Sequence, residues 1–299
     1  MIVLGCRGGP FEGDLSGYVL VDVEKKECIL LDAGTLLHGL HIAYEKGALS
    51  DFSLEDPELS PVGAFFTHHI KGYLISHPHL DHILGLVIAS QVDIKKPILG
   101  LDVTIDALRD HVFNGKIWVD HGSENAPSLY TYVRLQLGRV ASIPGTRMRV
   151  EPFFLTHSKT LSSTAFLIEC EGDYILYFGD TSSDFVEGEK NMEIIWKRIA
   201  PLVVQGKIKA LFLECSFSNV EDKLYGHLTP HLFFKELGHL ALIAQVSLKG
   251  LKVIVTHRKG TLGRKDDLRE KIASDLIQEN TLGVEMIFPE QGARFTISD

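Results

Sequence analysis

The sequence lacks long apolar runs and blocks of positive charge. No segment approaches the roughly 18 uninterrupted apolar residues of a membrane-spanning helix. Among its 299 residues, 30 lysines and arginines face 39 aspartates and glutamates, for a formal net charge of −9. Binding to a nucleic-acid backbone depends mainly on clustered basic side chains. The composition therefore argues against such a partner, whereas a metal centre could still attract a small anion.

Cysteine is scarce and unclustered. Cys6, Cys28, Cys170 and Cys215 lie far apart, in or beside apolar segments, and form no Cys-x-x-Cys pair. This spacing favours free, buried thiols in a reducing compartment over a thiolate zinc site or a redox motif. The N-terminal "MIVLGCRGGP" shows no secretory signal,. We therefore expect a cytoplasmic protein, although a leader trimmed from the sequence would escape this test.

Short apolar segments typical of strands recur along the chain, with helical segments between them. "CILLDAG", "YILYFGD" and "LKVIVTH" each contain an uninterrupted apolar run, as expected of strands covered on both faces,. Residues 229–248 predict a helix with Thr229 as N-cap and Pro230 at its first position,. "LRDHVFNGKIW" and "NMEIIWKRIAPLVVQG" are further helix candidates, and we expect Pro201 to interrupt the second,.

No low-complexity segment, charge block or long linker divides the sequence. We therefore expect a single domain over residues 1–299,. Residues 36–70 are polar and rich in turn-forming residues, and we interpret them as an insertion that passes over one face and lines a pocket.

Histidine is concentrated in "SHPHLDH", residues 76–82. His77 and His79 are two residues apart and face the same way on an extended chain,. Asp81 and His82 follow, where the chain is expected to turn into a helix. Such a loop can present two neighbouring groups of ligands to two metal ions. Imidazole together with carboxylate favours zinc, with manganese or iron as alternatives.

Further metal-binding side chains close other apolar segments. His157 ends "VEPFFLTH", Asp180 ends "YILYFGD" and His257 ends "LKVIVTH". Loops at strand ends bring distant residues together on a rigid scaffold. Each residue alone is a weak signal, because a single histidine after a strand is more often structural. Together with the loop they supply seven ligands, enough for two metal ions.

These motifs resemble the metallo-β-lactamase superfamily and, more narrowly, its class II 3′,5′-cyclic-nucleotide phosphodiesterases. The family signature, His-x-His-Leu-Asp-His with aliphatic residues, glycine and serine after it, is similar to "HPHLDHILGLVIAS". "YFGDTSSD", "LFLECSFSN", "GHLTPHL" and "PEQG" extend the likeness over nearly the whole chain. The resemblance implies an α+β fold, the four-layer αββα sandwich with two mixed sheets face to face.

The resemblance also implies a centre of two divalent metal ions and a reaction. The expected ligands form two groups of three with a bridging carboxylate: His77, His79 and His157; Asp81, His82 and His257; and Asp180 between them. The implied reaction hydrolyses cyclic AMP, cyclic GMP or both to nucleoside 5′-monophosphates, by attack of a metal-bridging hydroxide on phosphorus.

Four residues in or beside the expected ligand set receive further roles, two of them, His227 and Asp32, by resemblance. His227 in "YGHLTPHL" precedes a predicted helix N-terminus, a place that favours anions,. A histidine in a similar segment of tRNA 3′-processing endonucleases contacts phosphate and protonates the leaving group, which suggests a catalytic His227; helix capping is the alternative. We expect Asp81 to orient the hydroxide as well as bind metal. Glu214 and Asp32 are expected to support histidines or loops behind the ligands.

The sequence departs from the family pattern at two points. Gln91 follows Ser90 where alanine or proline is usual. "THRKG" replaces the expected Thr-His-Ile-Lys-Pro, so Arg258 and Gly260 bear on the loop beside the last ligand and on substrate preference.

Other functions within the superfamily remain alternatives. An RNA endonuclease similar to RNase Z would be expected to carry a basic exosite and Gly-His-Ser-Thr, whereas this chain is acidic and reads Gly-His-Leu-Thr. Another small-molecule hydrolase is a second alternative, and an inactive scaffold is disfavoured because all seven ligands are present.

We expect a cyclic-nucleotide substrate, no nucleic-acid or membrane partner, and a homodimer by analogy. The candidates for stacking on a purine are Phe65, Phe66 and Phe113.

Overall fold

The computed structural model describes residues 1–121, 128–158, 161–221, 223–262 and 267–297. The strands in these ranges are β1 Ile2–Gly5, β2 Gly17–Asp22, β3 Glu27–Ala33, β4 Ile70–Leu74, β5 Lys96–Leu101, β6 Tyr130–Leu135, β7 Ala141–Ser142, β8 Arg149–Thr156, β9 Ser162–Cys170, β10 Asp173–Phe178, β11 Ile208–Glu214, β12 Lys252–Thr256 and β13 Glu285–Ile287. The helices there are α1 Leu37–Glu45, α2 Pro61–Ala64, α3 Leu80–Ala89, α4 Asp102–Ala107, α5 Asp184–Glu187, α6 Asn191–Val204, α7 Pro230–Ala244 and α8 Leu268–Glu279.

Both sheets within the described ranges are mixed. The first has the order β1-β2-β3-β4-β5-β6, antiparallel from β1 to β3 and parallel from β3 to β6. The second has the order β13-β12-β11-β10-β9-β8-β7, antiparallel from β7 to β10 and parallel from β10 to β13. As a result β8, β10, β11 and β12 all end at the same edge of the second sheet.

Three apolar layers hold the sheets and helices together. In β1, Val3 faces the opposite sheet while Ile2 and Leu4 face the helices, as the alternation of a strand requires,. Tyr18 and Phe212 meet edge to face between the sheets, with ring centroids 5.7 Å apart. The outer layers lie under α1 and α3 on one side and α6, α7 and α8 on the other. The predicted αββα sandwich is confirmed.

The helix predictions are partly confirmed. Thr229 caps α7 by accepting a hydrogen bond from the Leu232 N–H, and Pro230 is its first residue,. The α6 helix runs through Pro201 instead of stopping there, because the proline lies in its last turn and removes a single backbone hydrogen bond,. In place of a helix over "LRDHVFNGKIW", α4 continues as a π-helical turn over Leu108–Val112. None of the helices in the described ranges combines the length and apolar character of a membrane span.

Residues 36–70 include α1, α2 and a π-helical turn, and they connect β3 to β4. They bury Leu40 and Phe52 against the outer face of the first sheet. Phe65, Phe66 and Phe113 belong to the same layer and are almost fully inaccessible. The suggestion that these three rings stack on a purine is therefore wrong, because packing against the sheet has already covered them.

Candidate metal centre

The structure brings all seven predicted ligands together at one edge of the sandwich. His77 and His79 lie in the loop between β4 and α3, and Asp81 and His82 lie in the first turn of α3. The remaining three, His157, Asp180 and His257, follow the ends of β8, β10 and β12. Since those strands end at the same edge, residues far apart in sequence become neighbours.

The first group of donors comprises His77, His79, His157 and Asp180, whose ligand atoms all lie within 4.8 Å of one another. His79 Nδ1 lies 3.1 Å from His77 Nε2 and 3.3 Å from His157 Nε2. On the far side of the rings, His77 Nδ1 lies 3.0 Å from Ser76 Oγ, and His157 Nδ1 lies 3.1 Å from the backbone carbonyl oxygen of Gly226. These contacts direct Nε2 of His77 and His157 into the group.

Burial governs the protonation of the first group. It lowers the pKa of His77 well below the usual value, with the charge of His82 adding to the effect. Burial lowers the pKa of His79 to about 4 and also lowers that of His157. Near pH 7 these imidazoles are neutral, which is the form that binds a metal ion.

The second group comprises Asp81, His82, His257 and again Asp180, with ligand atoms within 4.8 Å of one another. His82 Nδ1 lies 2.8 Å from a carboxylate oxygen of Asp32, so its Nε2 faces the group. His257 Nε2 lies 3.2 Å from Oδ2 of Asp81 and 3.2 Å from Oδ2 of Asp180. His82 is thus supported by the Asp32 carboxylate, whereas His77 and His157 of the first group are supported by neutral oxygens.

Charge dominates protonation in the second group. Burial opposes the charged form of His82, but Asp180 and Asp32 outweigh it and hold the His82 pKa well above its usual value. Burial would raise the pKa of Asp81 and Asp180, yet the neighbouring His257 and His82 hold the pKa of both carboxyls well below the usual range. Both carboxylates are therefore ionised and available as ligands.

Two atoms of the second group fit a bound cation. His82 Nε2 and Asp180 Oδ1 lie 3.2 Å apart, close enough for an ion pair. Both atoms are nevertheless buried without a properly angled hydrogen-bond partner among the described residues. Leaving such atoms unsatisfied costs free energy, and a divalent cation would satisfy both. The donor set, imidazole nitrogens with carboxylates, is suited to divalent metals.

His227 packs against the second group and is hydrogen-bonded to a separate carboxylate, that of Glu214. Its Nδ1 lies 2.7 Å from Oε1 of Glu214, the last residue of β11. Its ring stacks on that of His257, with centroids 5.2 Å apart and an angle of 20°. Ser216 Oγ donates to Glu214 Oε2 at 2.6 Å and lies 2.8 Å from His257 Nδ1. The serine therefore connects the carboxylate behind His227 to the second group.

Asp32 is the structural anchor of the loop that carries the first histidines. It is the extra residue where the pairing of β2 with β3 shifts, and its φ of 53° lies in the left-handed region,. Its carboxylate accepts hydrogen bonds from the Ser76 N–H, the Ser76 hydroxyl and the Tyr177 hydroxyl, each at 2.7 Å. The bulge aims one carboxylate at both the loop and His82.

Gly226, the glycine of the Gly-His segment, is required by close contact. Its φ is +79°, and a Cβ there would lie 1.1 Å from the carbonyl oxygen of His157. The segment carrying His227 lies directly against the backbone of His157, a first-group histidine. This close approach leaves no room for a side chain at position 226.

The loop after β12 differs from the family pattern in a way that the structure explains. Gly260 stands where proline was expected, and a Cβ at Gly260 would lie 2.6 Å from the ring of Phe11. Arg258 places its guanidinium 5.1 Å from the centroid of the Phe288 ring. The loop is thus fitted to aromatic side chains from both ends of the chain.

Sequence reasoning missed the serines Ser76 and Ser216 and the aromatic Phe217. Ser76 and Ser216 occur in the quoted motifs, directly beside His77 and two residues after Glu214. The only signal was this adjacency, which is too common for serine to be diagnostic. Phe217, in "ECSFS", has its ring centroid 5.6 Å from that of His227.

Comparison with known proteins agrees with this geometry. Residues 2–292 match the family described as cAMP phosphodiesterases class-II. A relative from Aliivibrio fischeri, named 3′,5′-cyclic-nucleotide phosphodiesterase, is 40% identical over 300 residues, covering 97% of this chain and 90% of the relative. Unliganded yeast PDE1 superposes with a TM-score of 0.84 at 28% identity, covering 97% of both chains.

A more distant structure extends the likeness in fold alone. The metallo-β-lactamase fold protein YhfI from Bacillus subtilis has a TM-score of 0.58 at 17% identity, covering 96% of this chain and 95% of that one. The family match, by contrast, spans nearly the whole sequence and includes both donor groups. The chain belongs to the class II cAMP phosphodiesterases.

Proposed function

We propose that this protein hydrolyses the cyclic phosphodiester of cyclic AMP and cyclic GMP to nucleoside 5′-monophosphates. The observation that carries the proposal is the pair of largely buried donor groups sharing Asp180, in a chain of the class II family. The first group would hold one divalent ion and the second group the other, with zinc favoured by the donor types. When bound, the ions would supply Lewis acidity and lower the pKa of water near phosphorus.

Asp81 would orient the attacking water. Its Oδ2 accepts a hydrogen bond from the Gly9 N–H at 3.1 Å and lies beside His257, so the carboxylate is held in one orientation. Held in this way, it can accept a hydrogen bond from the water and direct a lone pair of the water oxygen toward phosphorus.

His227 would protonate the leaving 3′-oxygen. Glu214 accepts a hydrogen bond from His227 Nδ1, which fixes the ring in place and leaves Nε2 to act as the proton donor,. In the reaction, a bond forms between the water oxygen and phosphorus, and the bond from phosphorus to the ribose 3′-oxygen breaks. The proton from Nε2 completes the 3′-hydroxyl, and the proton lost by the water replaces it through solvent.

The test is hydrolysis of both cyclic nucleotides by the purified protein, before and after chelation and after zinc is restored. We expect release of AMP and GMP, loss of activity on chelation, and recovery with zinc. Protein that holds two metal ions and hydrolyses neither nucleotide would contradict the proposal. Cleavage of precursor tRNA without release of AMP would instead favour an RNA endonuclease.

A pair of histidine variants tests the role of His227. His227→Gln should lower kcat for cyclic AMP by about a hundredfold, the lower end for loss of a general acid. His231→Gln is the matched control, because His231 lies in the same segment with its side chain 70% exposed. Equal activities of the two variants would remove His227 from the mechanism.

A further inference from the structure

A cleft of about 390 Å³ opens beside the metal centre. One wall is the Gly9–Pro10 turn, and the other is the loop that follows His257, including Lys259 and Gly260. The Gly9 N–H that binds Asp81 belongs to the first wall, so the cleft begins at the second group of donors. Its volume is within the range usual for small-molecule sites.

Phe217 presents an aromatic ring to this cleft. The ring is partly exposed and meets the ring of His227 at 66°. The ammonium of Lys259 lies 5.4 Å from the Phe217 centroid. Phe217 itself lines the cleft, so its ring is in contact with the cleft as well as adjacent to the proposed proton donor.

We propose that this cleft binds the nucleobase of the cyclic nucleotide, with Phe217 as the ring on which the base stacks. The inference rests on the proposed function, since it assigns a place to the part of the substrate that does not react. With the phosphate at the donor groups and the 3′-oxygen at His227, the cleft next to His227 is the space left for the base. Every base has an aromatic face, so stacking on Phe217 serves adenine and guanine alike.

Two variants of Phe217 test the stacking role through KM. Phe217→Ala should raise KM about tenfold for both cyclic AMP and cyclic GMP, as expected when base–aromatic stacking is lost. Its kcat should stay within about threefold, because the ring does not touch the reacting atoms. Phe217→Tyr keeps the aromatic face and should retain the original KM.

Phe185→Ala is the matched control for loss of an exposed ring. Phe185 is also partly exposed with a lysine above it, the Lys235 ammonium at 4.2 Å, but the histidine beside it is His239, outside both donor groups. The KM of Phe185→Ala for both cyclic nucleotides should be unchanged. The second control is a substrate: ribose 3′,5′-cyclic phosphate without a base should show the same KM with Phe217→Ala as with the original protein.

A binding measurement separates failure of this inference from failure of the proposed function. Phe217→Trp places a fluorophore in the cleft, and its emission should be quenched by AMP but not by ribose 5-phosphate, while Phe185→Trp should not respond. Quenching by AMP in a protein that hydrolyses no cyclic nucleotide would support the assignment of the cleft as the base-binding site and would overturn the proposed function. Hydrolysis with an unchanged KM in Phe217→Ala, or an equal rise in KM for the base-free substrate, would overturn the cleft assignment.

Discussion

The two donor groups differ in what stands behind their histidines. In the first group, neutral oxygens support the rings, the Ser76 hydroxyl behind His77 and the Gly226 carbonyl behind His157. The Asp32 carboxylate reaches His77 only through the Ser76 hydroxyl. In the second group, the same carboxylate lies directly behind His82, and Glu214 reaches His257 through Ser216. A carboxylate behind an imidazole makes it a stronger ligand. We therefore expect the second group, once its metal ion has displaced the proton of His82, to hold that ion more tightly and to lose it last during chelation.

The largest effect is expected at the residue common to both groups. Asp180→Asn keeps the shape of the side chain but removes its charge from both groups, so both metal ions should be lost. The fall in kcat/KM should exceed about a hundredfold, the upper end for residues that merely support a ligand. Elemental analysis and cyclic AMP hydrolysis measure the effect, with circular dichroism to verify folding. Full activity with both metals retained would contradict the bridging role.

An intermediate effect is expected behind His82. Asp32→Asn still offers an acceptor to Ser76 but removes the negative charge beside His82, so zinc affinity of the second group should fall about 10–100-fold. Ser76→Ala is the matched change behind His77 and should weaken the first group by less. Calorimetric titration of the metal-free variants with zinc resolves the two binding events. Equal losses of zinc affinity in Asp32→Asn and Ser76→Ala would show that the two groups do not differ in how their histidines are supported.

The smallest effect is expected at the serine that acts through another residue. Ser216→Ala removes the acceptor for His257 Nδ1 and should lower kcat/KM about tenfold, the lower end for loss of such support. Ser163→Ala is the control, because Ser163 Oγ lies 3.4 Å from His77 Nδ1, where Ser76 already stands closer. Steady-state kinetics distinguish them. If Ser163→Ala costs as much as Ser216→Ala, the supports of the two groups are equivalent.

The sequence was most informative where local pattern and chemistry coincide. His157, Asp180 and His257 each follow a strand that contains an apolar run, so their place at a sheet edge could be predicted before the sheets were known. To place the four candidate metal ligands of "SHPHLDH", only the change from extended loop to helix at Leu80 was needed. The αββα layers followed from the family resemblance, because apolar strands alone do not determine how two sheets stack.

Residues whose role depends on long-range packing could not be predicted. Phe65 and Phe217 are both phenylalanines within two residues of a polar side chain, yet one is buried against the first sheet and the other lines a cleft. Nothing local separates them, since exposure depends on which helix covers the ring. Ser216 likewise gains its importance only when His257, 41 residues later, comes within hydrogen-bonding distance.

The contact between Gly260 and Phe11 has an evolutionary consequence. With the ring occupying the space of a Cβ at 260, neither position can change freely on its own. A lineage that acquires proline at 260 should also exchange the aromatic residue at 11 for a smaller one, or move it outward. Residues 11 and 260 should therefore vary together among members of the family, and this covariation would show where the loop that lines the cleft has been remodelled.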